Sequence, residues 1–336
     1  MGERERPRMS IHKDLQKRLS DAHAMGSCLI SESRADDRRL RAACVRGDLI
    51  SPFHHVYADP SVWRSLKPTE REMQRLRAIA KLHPDWVFAS VSAALLRGLA
   101  VSYSLIGRVH IVTNAQSHSR SSHDIERHII PDADTDEANG IRVTTLGRTA
   151  FDCMRTYGFR ESLAICDSVL RQTEKPGEQL AEAFGAFHRA NRRKEEAVQI
   201  ALLGDGRAEN GGESIARAVM IEQGFQLPEL QVEIPTFDKQ GEPYRADFFW
   251  QLGDGRQVAG ELDGREKYRN PQMTGGRDIV DILADERLRE SRISANDIRV
   301  MRFSFSDVTH VGRFRQIMGA FGIPDGNPVP AVAQSA

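Results

Sequence analysis

Between residues 213 and 263 this chain carries four carboxylates in a spacing that restricts the folds open to it. Glu213 opens the helical run GGESIARAVM, Asp247 lies in YRADFFW, and Glu261 and Asp263 lie in VAGELDGREKY. The last two runs read as strands, where pattern alone asks for apolar side chains, so the acids mark a site. A tight Asp254-Gly255 turn joins the two runs into a hairpin. Side chains two apart on a strand share a face, which groups Glu261 with Asp263 and sets Asp247 on the partner strand. Glu213 reaches the same place from the preceding helix. Gathered carboxylates repel one another, and only a cation or a proton relieves that cost. Mg²⁺ is the expected cation, because its hard, water-retaining coordination suits a few carboxylates and a phosphate oxygen. Glu213, Asp247 and Glu261 are its expected ligands, and the bound ion would activate a water for attack on a phosphodiester.

A chain of 336 residues, 40% of them hydrophobic, is long enough for about two or three domains with real cores. Basic and acidic residues number 47 each, so no whole-molecule field draws the chain to nucleic acid, and any such binding rests on local basic patches. The start MGERERPRMS is charged, and no apolar run is long enough to span a bilayer. The expectation is a cytoplasmic protein that makes no membrane contact. Cys28, Cys44, Cys153 and Cys166 show no metal-ligand spacing and read as reduced thiols without assigned chemistry.

Residues 10–60 read as helices followed by a short hairpin, the pattern of a winged helix-turn-helix. His12 to Ala24 is amphipathic, and DRRLRAACVRG forms a second helix with Leu40, Ala43 and Cys44 facing inward and Gly47 as its cap. Arg38, Arg39, Arg41 and Arg46 then face outward, placed to contact phosphates and base edges, and His54 and His55 sit at the tip of the wing. The same arginines also suit a solvated charged face.

Residues 68–205 form a mixed α/β middle region, with helices at 69–82 and 90–99, short strands at 109–112, 125–130 and 141–143, and helical pattern from 146 to 203. His110, His118, His123 and His128 cluster there, but the loop SHSRSSH gives them no fixed geometry, and they read as exposed polar residues and not as a zinc site. Thr145 is placed to cap the helix carrying Arg148, Thr149 and Asp152. GDGRAENGG, 204–212, reads as the best domain boundary. Beyond it the order is helix, three strands, a charged helix at 277–291, a strand at 299–305 and a closing helix at 307–321. The tail 323–336 has no core-forming content and is expected to be disordered. The fold class is therefore α+β and multidomain.

That order, with GESIAR, PELQVEIP, YRADFFW, GELDGREKY, ADERLRE and IRVMRFSF, resembles the nuclease-like domain related to very-short-patch-repair endonucleases, within the PD-(D/E)XK superfamily. The resemblance covers residues 207–322 and implies a restriction-endonuclease-like α/β/α core. RGDLISPFHHVYA, FASVSAALLRGL and GIRVTTLGRTAFDCM resemble the AbiEi-type antitoxin-like regulators of bacteria. Such regulators are winged-helix DNA-binding proteins that repress their own operon and oppose a nucleotidyltransferase-like toxin. Carried over by position, the metal-binding acids are Asp247 and Glu261, assisted by Glu213 and Asp263. The superfamily places a lysine two residues after the second acid, where this chain has Asp263; Lys267 or Arg265 would have to supply that charge.

Two functions follow from these readings. One is an antitoxin-like transcriptional regulator on double-stranded DNA, with a nuclease-like second domain whose acids are solvated or paired with Arg245, Arg287 and Arg302. The other is a Mg²⁺-dependent endonuclease delivered to DNA by the winged helix, with Asp247, Glu261, Asp263 and Lys267 as its catalytic set. A third, interaction through the helical 146–203 segment, is weaker.

Overall fold

The computed structural model describes residues 13–114, 121–130, 135–185, 187, 192–235, 243–263 and 297–334. They form two compact units that divide between Thr149 and Ala150.

The first unit begins with α1 (Lys13–Ala24), β1 (Leu29–Ile30), α2 (Arg34–Arg46), β2 (Ile50–Phe53) and β3 (Val56–Ala58). β3 lies between β1 and β2 and is antiparallel to both. Ser33 begins α2 three residues before the predicted start, because its hydroxyl accepts from Asp36 N, and Gly47 ends the helix at φ 83°. Leu40 and Ala43 pack on Ala22, Leu29, Leu49 and Tyr57, with Cys44 partly buried beside them. The predicted inward stripe is therefore the observed one.

Next come α3 (Pro60–Ser65), α4 (Pro68–Leu82) and α5 (Ser90–Leu96). β4 (Val109–Thr113) and β5 (Ile125–Ile129) are parallel, while β6 (Thr135–Ala138) and β7 (Ile141–Thr144) form a hairpin. The pattern missed β1 and β6: β1 has only two residues, and β6 has the sequence TDEA with its first three residues exposed, so no apolar alternation announces either.

The second unit contains α6 (Leu146–Met154, beginning just before the division), α7 (Phe159–Thr173), α8 (Gly177–Gly185), α9 (Arg192–Leu203) and α10 (Gly211–Glu222). Its sheet is β8 (Glu229–Ile234), β9 (Tyr244–Gln251), β10 (Gln257–Asp263) and β11 (Ile298–Ser304), in the order β11-β10-β9-β8, with only the β10–β11 pair parallel. Phe248, Trp250, Val258, Met301 and Phe303 form a core with Val219 and Met220 of α10 and with Phe314 and Met318 of the last helix, Val311–Phe321. The predicted closing helix is two pieces, since a short helix, Phe305–Thr309, precedes it. The predicted helix at 277–291 lies outside the described residues.

Two expectations are corrected here. The Gly-rich segment 204–212 is internal to the second unit and is no linker. A Cβ on Gly204 would sit 2.6 Å from Cys166 Sγ, and one on Gly206 would sit 2.8 Å from Arg171 N, so these glycines let the chain run directly against α7. Across the segment, Arg217 of α10 donates to Asp167 of α7 at 2.8 Å and to Leu203 O at 2.8 Å. The predicted disordered tail is ordered through Gln334. Gln226 N donates to Pro324 O at 2.8 Å, Gly224 O accepts from Asn327 N at 2.9 Å, and Ile323, Val332 and Ala333 are buried. Prolines restrict the segment before it docks, so less entropy is lost than composition alone suggests.

Candidate functional site

The outward face of α2 carries Arg38, Arg41 and Val45, and Val45 is 90% exposed. Arg41 reaches the hairpin: its Nη2 lies 3.2 Å from His54 Nδ1, while its Nε pairs with Asp37 at 3.0 Å. The helix and hairpin brought together are the two elements on which the predicted DNA-contacting residues lie. Arg39 pairs with Asp36 at 3.3 Å and stays 70% exposed, and Arg46 pairs with Asp48 at 2.9 Å at the end of its own helix.

Beneath this face lies a polar hub that the sequence reading missed. Asp37 is buried, and its Oδ1 accepts from Tyr57 OH at 2.7 Å and meets His55 Nδ1 at 2.7 Å. The Tyr57 hydrogen bond, followed by His55 and Arg41, holds the Asp37 carboxyl below its ordinary range, and burial lifts the Tyr57 hydroxyl to about 12. His55 takes φ 62° to make the bend at the tip. Asp36 is held low chiefly by Arg18, whose two nitrogens donate at 3.1 and 2.8 Å. A signal existed: Asp36 and Asp37 precede Leu40 by four and three residues, on the helix's inward stripe. His54 is exposed, and the slight burial of its ring, followed by His55 and Arg41, lowers it from its ordinary range.

In the second unit, pairing between β9 and β10 runs from Gln257–Gln251 to Gly260–Phe248 and stops. Asp247 stands just past that fork, and its Oδ2 accepts from Leu262 N at 3.1 Å. Glu213, in the first turn of α10, is 3% exposed and accepts from Glu209 N at 2.7 Å, from Gln231 Nε2 at 3.1 Å and from Asn210 Nδ2. Burial foremost, and also the charge of Asp247, raises the Glu213 carboxyl to about 7. Gln231 was not foreseen: its left-handed backbone, φ 56°, is invisible in the run ELQVEI.

Glu261 is placed differently. It faces Arg302 as register partner on parallel β11, with Oε2 3.2 Å from Arg302 Nη2, and its Oε1 accepts from Tyr244 OH. Asp263, half-buried, is the register partner of Ser304. Arg245 pairs with Glu209 at 2.5 Å. Lys267, Arg265 and Arg287 lie outside the described residues. No three His, Cys, Asp or Glu side chains converge on a common point among the described residues. Both Glu261 oxygens are engaged, one by Arg302 and the other by Tyr244, so Glu261 as arranged has no oxygen left without a partner for a Mg²⁺ ion.

The histidine reading is corrected for one pair. His110 is buried and its Nδ1 lies 2.9 Å from His128 Nε2, so these two are structural and not loop residues. Burial, then His128 and Arg108, holds His110 down at about 4. His123 is fully exposed beside Asp124, and His118 lies outside the described residues. At the α6 start it is Thr144, not Thr145, whose hydroxyl meets Thr149 Oγ1, at 2.7 Å. All four cysteines are free, three of them buried.

Fold and site together define a mixed α/β protein of two units, one with an arginine-faced helix beside a hairpin and one with acids at a strand fork. No family model matches the chain. Part of it is similar to two curated proteins of Mycobacterium tuberculosis, the uncharacterized proteins MT2308 (strain CDC 1551 / Oshkosh) and Rv2248 (strain ATCC 25618 / H37Rv). Each is 33% identical over 133 residues, which is 40% of this chain and 47% of the relative. The chain thus spans about half the length of the curated relatives it matches.

Proposed function

We propose that this chain is a double-stranded-DNA-binding, antitoxin-like transcriptional regulator, with α2 and the β2–β3 hairpin acting as a winged helix. The observation that carries the reading is the Arg41–His54 contact, which ties the outward arginine helix to the hairpin tip. Arg38 and Arg41 supply phosphate contacts, Val45 offers an apolar group to thymine methyls, and His54 serves as a hydrogen-bonding group at the groove edge. With a net charge of zero, the attraction is local, so affinity falls steeply with salt as condensed counterions are displaced. No described helix is long and apolar enough to cross a membrane. A nucleotidyltransferase-like toxin is the partner this reading implies, and copurification from cells that express both chains tests it.

The test of DNA binding is fluorescence anisotropy with labelled duplexes across a salt series. The reading fails if Arg38→Ala with Arg41→Ala leaves both the affinity and its salt dependence unchanged.

A second reading, a Mg²⁺-dependent endonuclease using Asp247, Glu261, Asp263 and Lys267, draws support from one observation, the buried carboxyl of Glu213, which feels the charge of Asp247. Plasmid cleavage that requires Mg²⁺ and disappears in Asp247→Ala and in Glu261→Ala is its test.

A further inference from the structure

β10 and β11 run parallel, and their register sets Glu261 beside Arg302. The guanidinium lies 3.2 Å from Glu261 Oε2, with the two side chains only 26% and 17% exposed. The other carboxylate oxygen accepts from Tyr244 OH, so both oxygens are engaged from within the sheet. Next to this pair the register pairing of β9 and β10 ends, and Asp247 accepts from Leu262 N at 3.1 Å. A carboxylate largely withdrawn from water needs positive charge or hydrogen-bond donors, and here Arg302 and Tyr244 supply both. A guanidinium stays charged at every working pH and does not exchange with solvent. Unlike a hydrated divalent ion, it has no open coordination position at which a water is made nucleophilic.

We propose that Arg302 is the built-in counter-charge of Glu261, taking the place at that carboxylate that a divalent cation would otherwise fill, so that the described acids of β9 and β10 take up no divalent cation. The proposal deepens the regulator reading and rests on it for the nature of the ligand. Metal occupancy is measured without DNA, so its failure and the failure of the DNA-binding reading are separable.

The experiment is Mn²⁺ titration of the full chain, followed by electron paramagnetic resonance, with melting temperatures in Mg²⁺ set against ionic-strength-matched NaCl. The wild type is expected to show no saturable Mn²⁺ site and no Mg²⁺-specific rise in Tm. Arg302→Gln is expected to melt lower, to gain one saturable Mn²⁺ site, and to lose that site again in the double variant with Glu261→Gln. A wild-type Mn²⁺ site that disappears in Asp247→Asn overturns the proposal. So does an Arg302→Gln chain that folds yet gains no site. Should Arg302→Gln not fold alone, refolding on addition of Mn²⁺ supports the proposal; if Mn²⁺ does not restore it, the wild-type titration decides.

Discussion

Arg217 Nη2 lies 2.8 Å from Asp167 Oδ1, and both side chains are buried where α10 crosses α7. The pair joins a helix of the region predicted as the middle domain to the helix that carries Glu213. Removing one partner leaves the other buried without its counter-charge, Arg217 keeping only Leu203 O and Asp167 only uncharged donors such as Asp205 N. Asp167→Ala is therefore expected to cost about 3–5 kcal/mol in urea unfolding of the second unit. The double change Asp167→Leu with Arg217→Met should cost much less than the sum of the single changes. Equal, additive losses would mean that the two residues act independently.

Gly204 and Gly206 provide a sharper test of the same packing. Alanine at either position places a methyl group against α7, with an expected cost of roughly 1–3 kcal/mol from overpacking. Gly253→Ala is the control, since a Cβ there meets nothing within 4 Å. If segment 204–212 were a flexible linker, all three variants would melt together.

Asp37 organises the arginine face from beneath. Tyr57→Phe removes one hydrogen bond to it and should cost about 1 kcal/mol. Asp37→Ala takes away the acceptor shared by Tyr57, His55 and Arg41, and should destabilise by roughly 1–3 kcal/mol while also weakening duplex binding. Urea denaturation and anisotropy on the same samples check both effects. Loss of stability with intact affinity would show that the hub does not position the arginines.

His110 gives the first unit a pH dependence of known sign. Its folded-state value is depressed from 6.5 to about 4, so the unfolded chain binds the proton more readily between those values. Stability from this group is fully present above pH 6.5, falls as pH drops towards 4, and levels off below. The span corresponds to about 3 kcal/mol at most, read as the urea midpoint against pH. His110→Phe should flatten the slope in that window, and a slope that survives the substitution would assign it to another group.

Truncation after Gly322 tests the ordered tail. Ile323, Val332 and Ala333 would be lost from the core, and the carbonyl of Gly224 would lose Asn327 N. The truncated chain is expected to melt several degrees lower, whereas a disordered tail would leave Tm unchanged.

Periodicity made most elements legible. The stripe of Leu40, Ala43 and Cys44, the hairpin turn at Asp254-Gly255 and the strands around Trp250 and Met301 stand where alternation and turn chemistry placed them. What escaped was long-range. Glycine spacing at 204–212 signals a loop equally well whether the chain there is free or pressed against α7. A proline-rich tail looks disordered until its docking surface is known. At the candidate site, strand alternation put Glu261 and Asp263 on one side and Asp247 across from them, but alternation says nothing of where two strands part. That parting, not the spacing, turns Asp247 to Leu262 N, and the register with β11 gives Glu261 to Arg302.

The docking of residues 324–333 against the turn that follows α10 also sets an order of events during synthesis. The peptide that clasps Gly224 is made about a hundred residues after it, and the ribosomal tunnel delays it further. Until that peptide emerges, the Glu213 helix waits with one flank uncovered. A nascent chain stalled short of this point would leave the Gly224 carbonyl without Asn327 N and would lack the buried Val332 and Ala333.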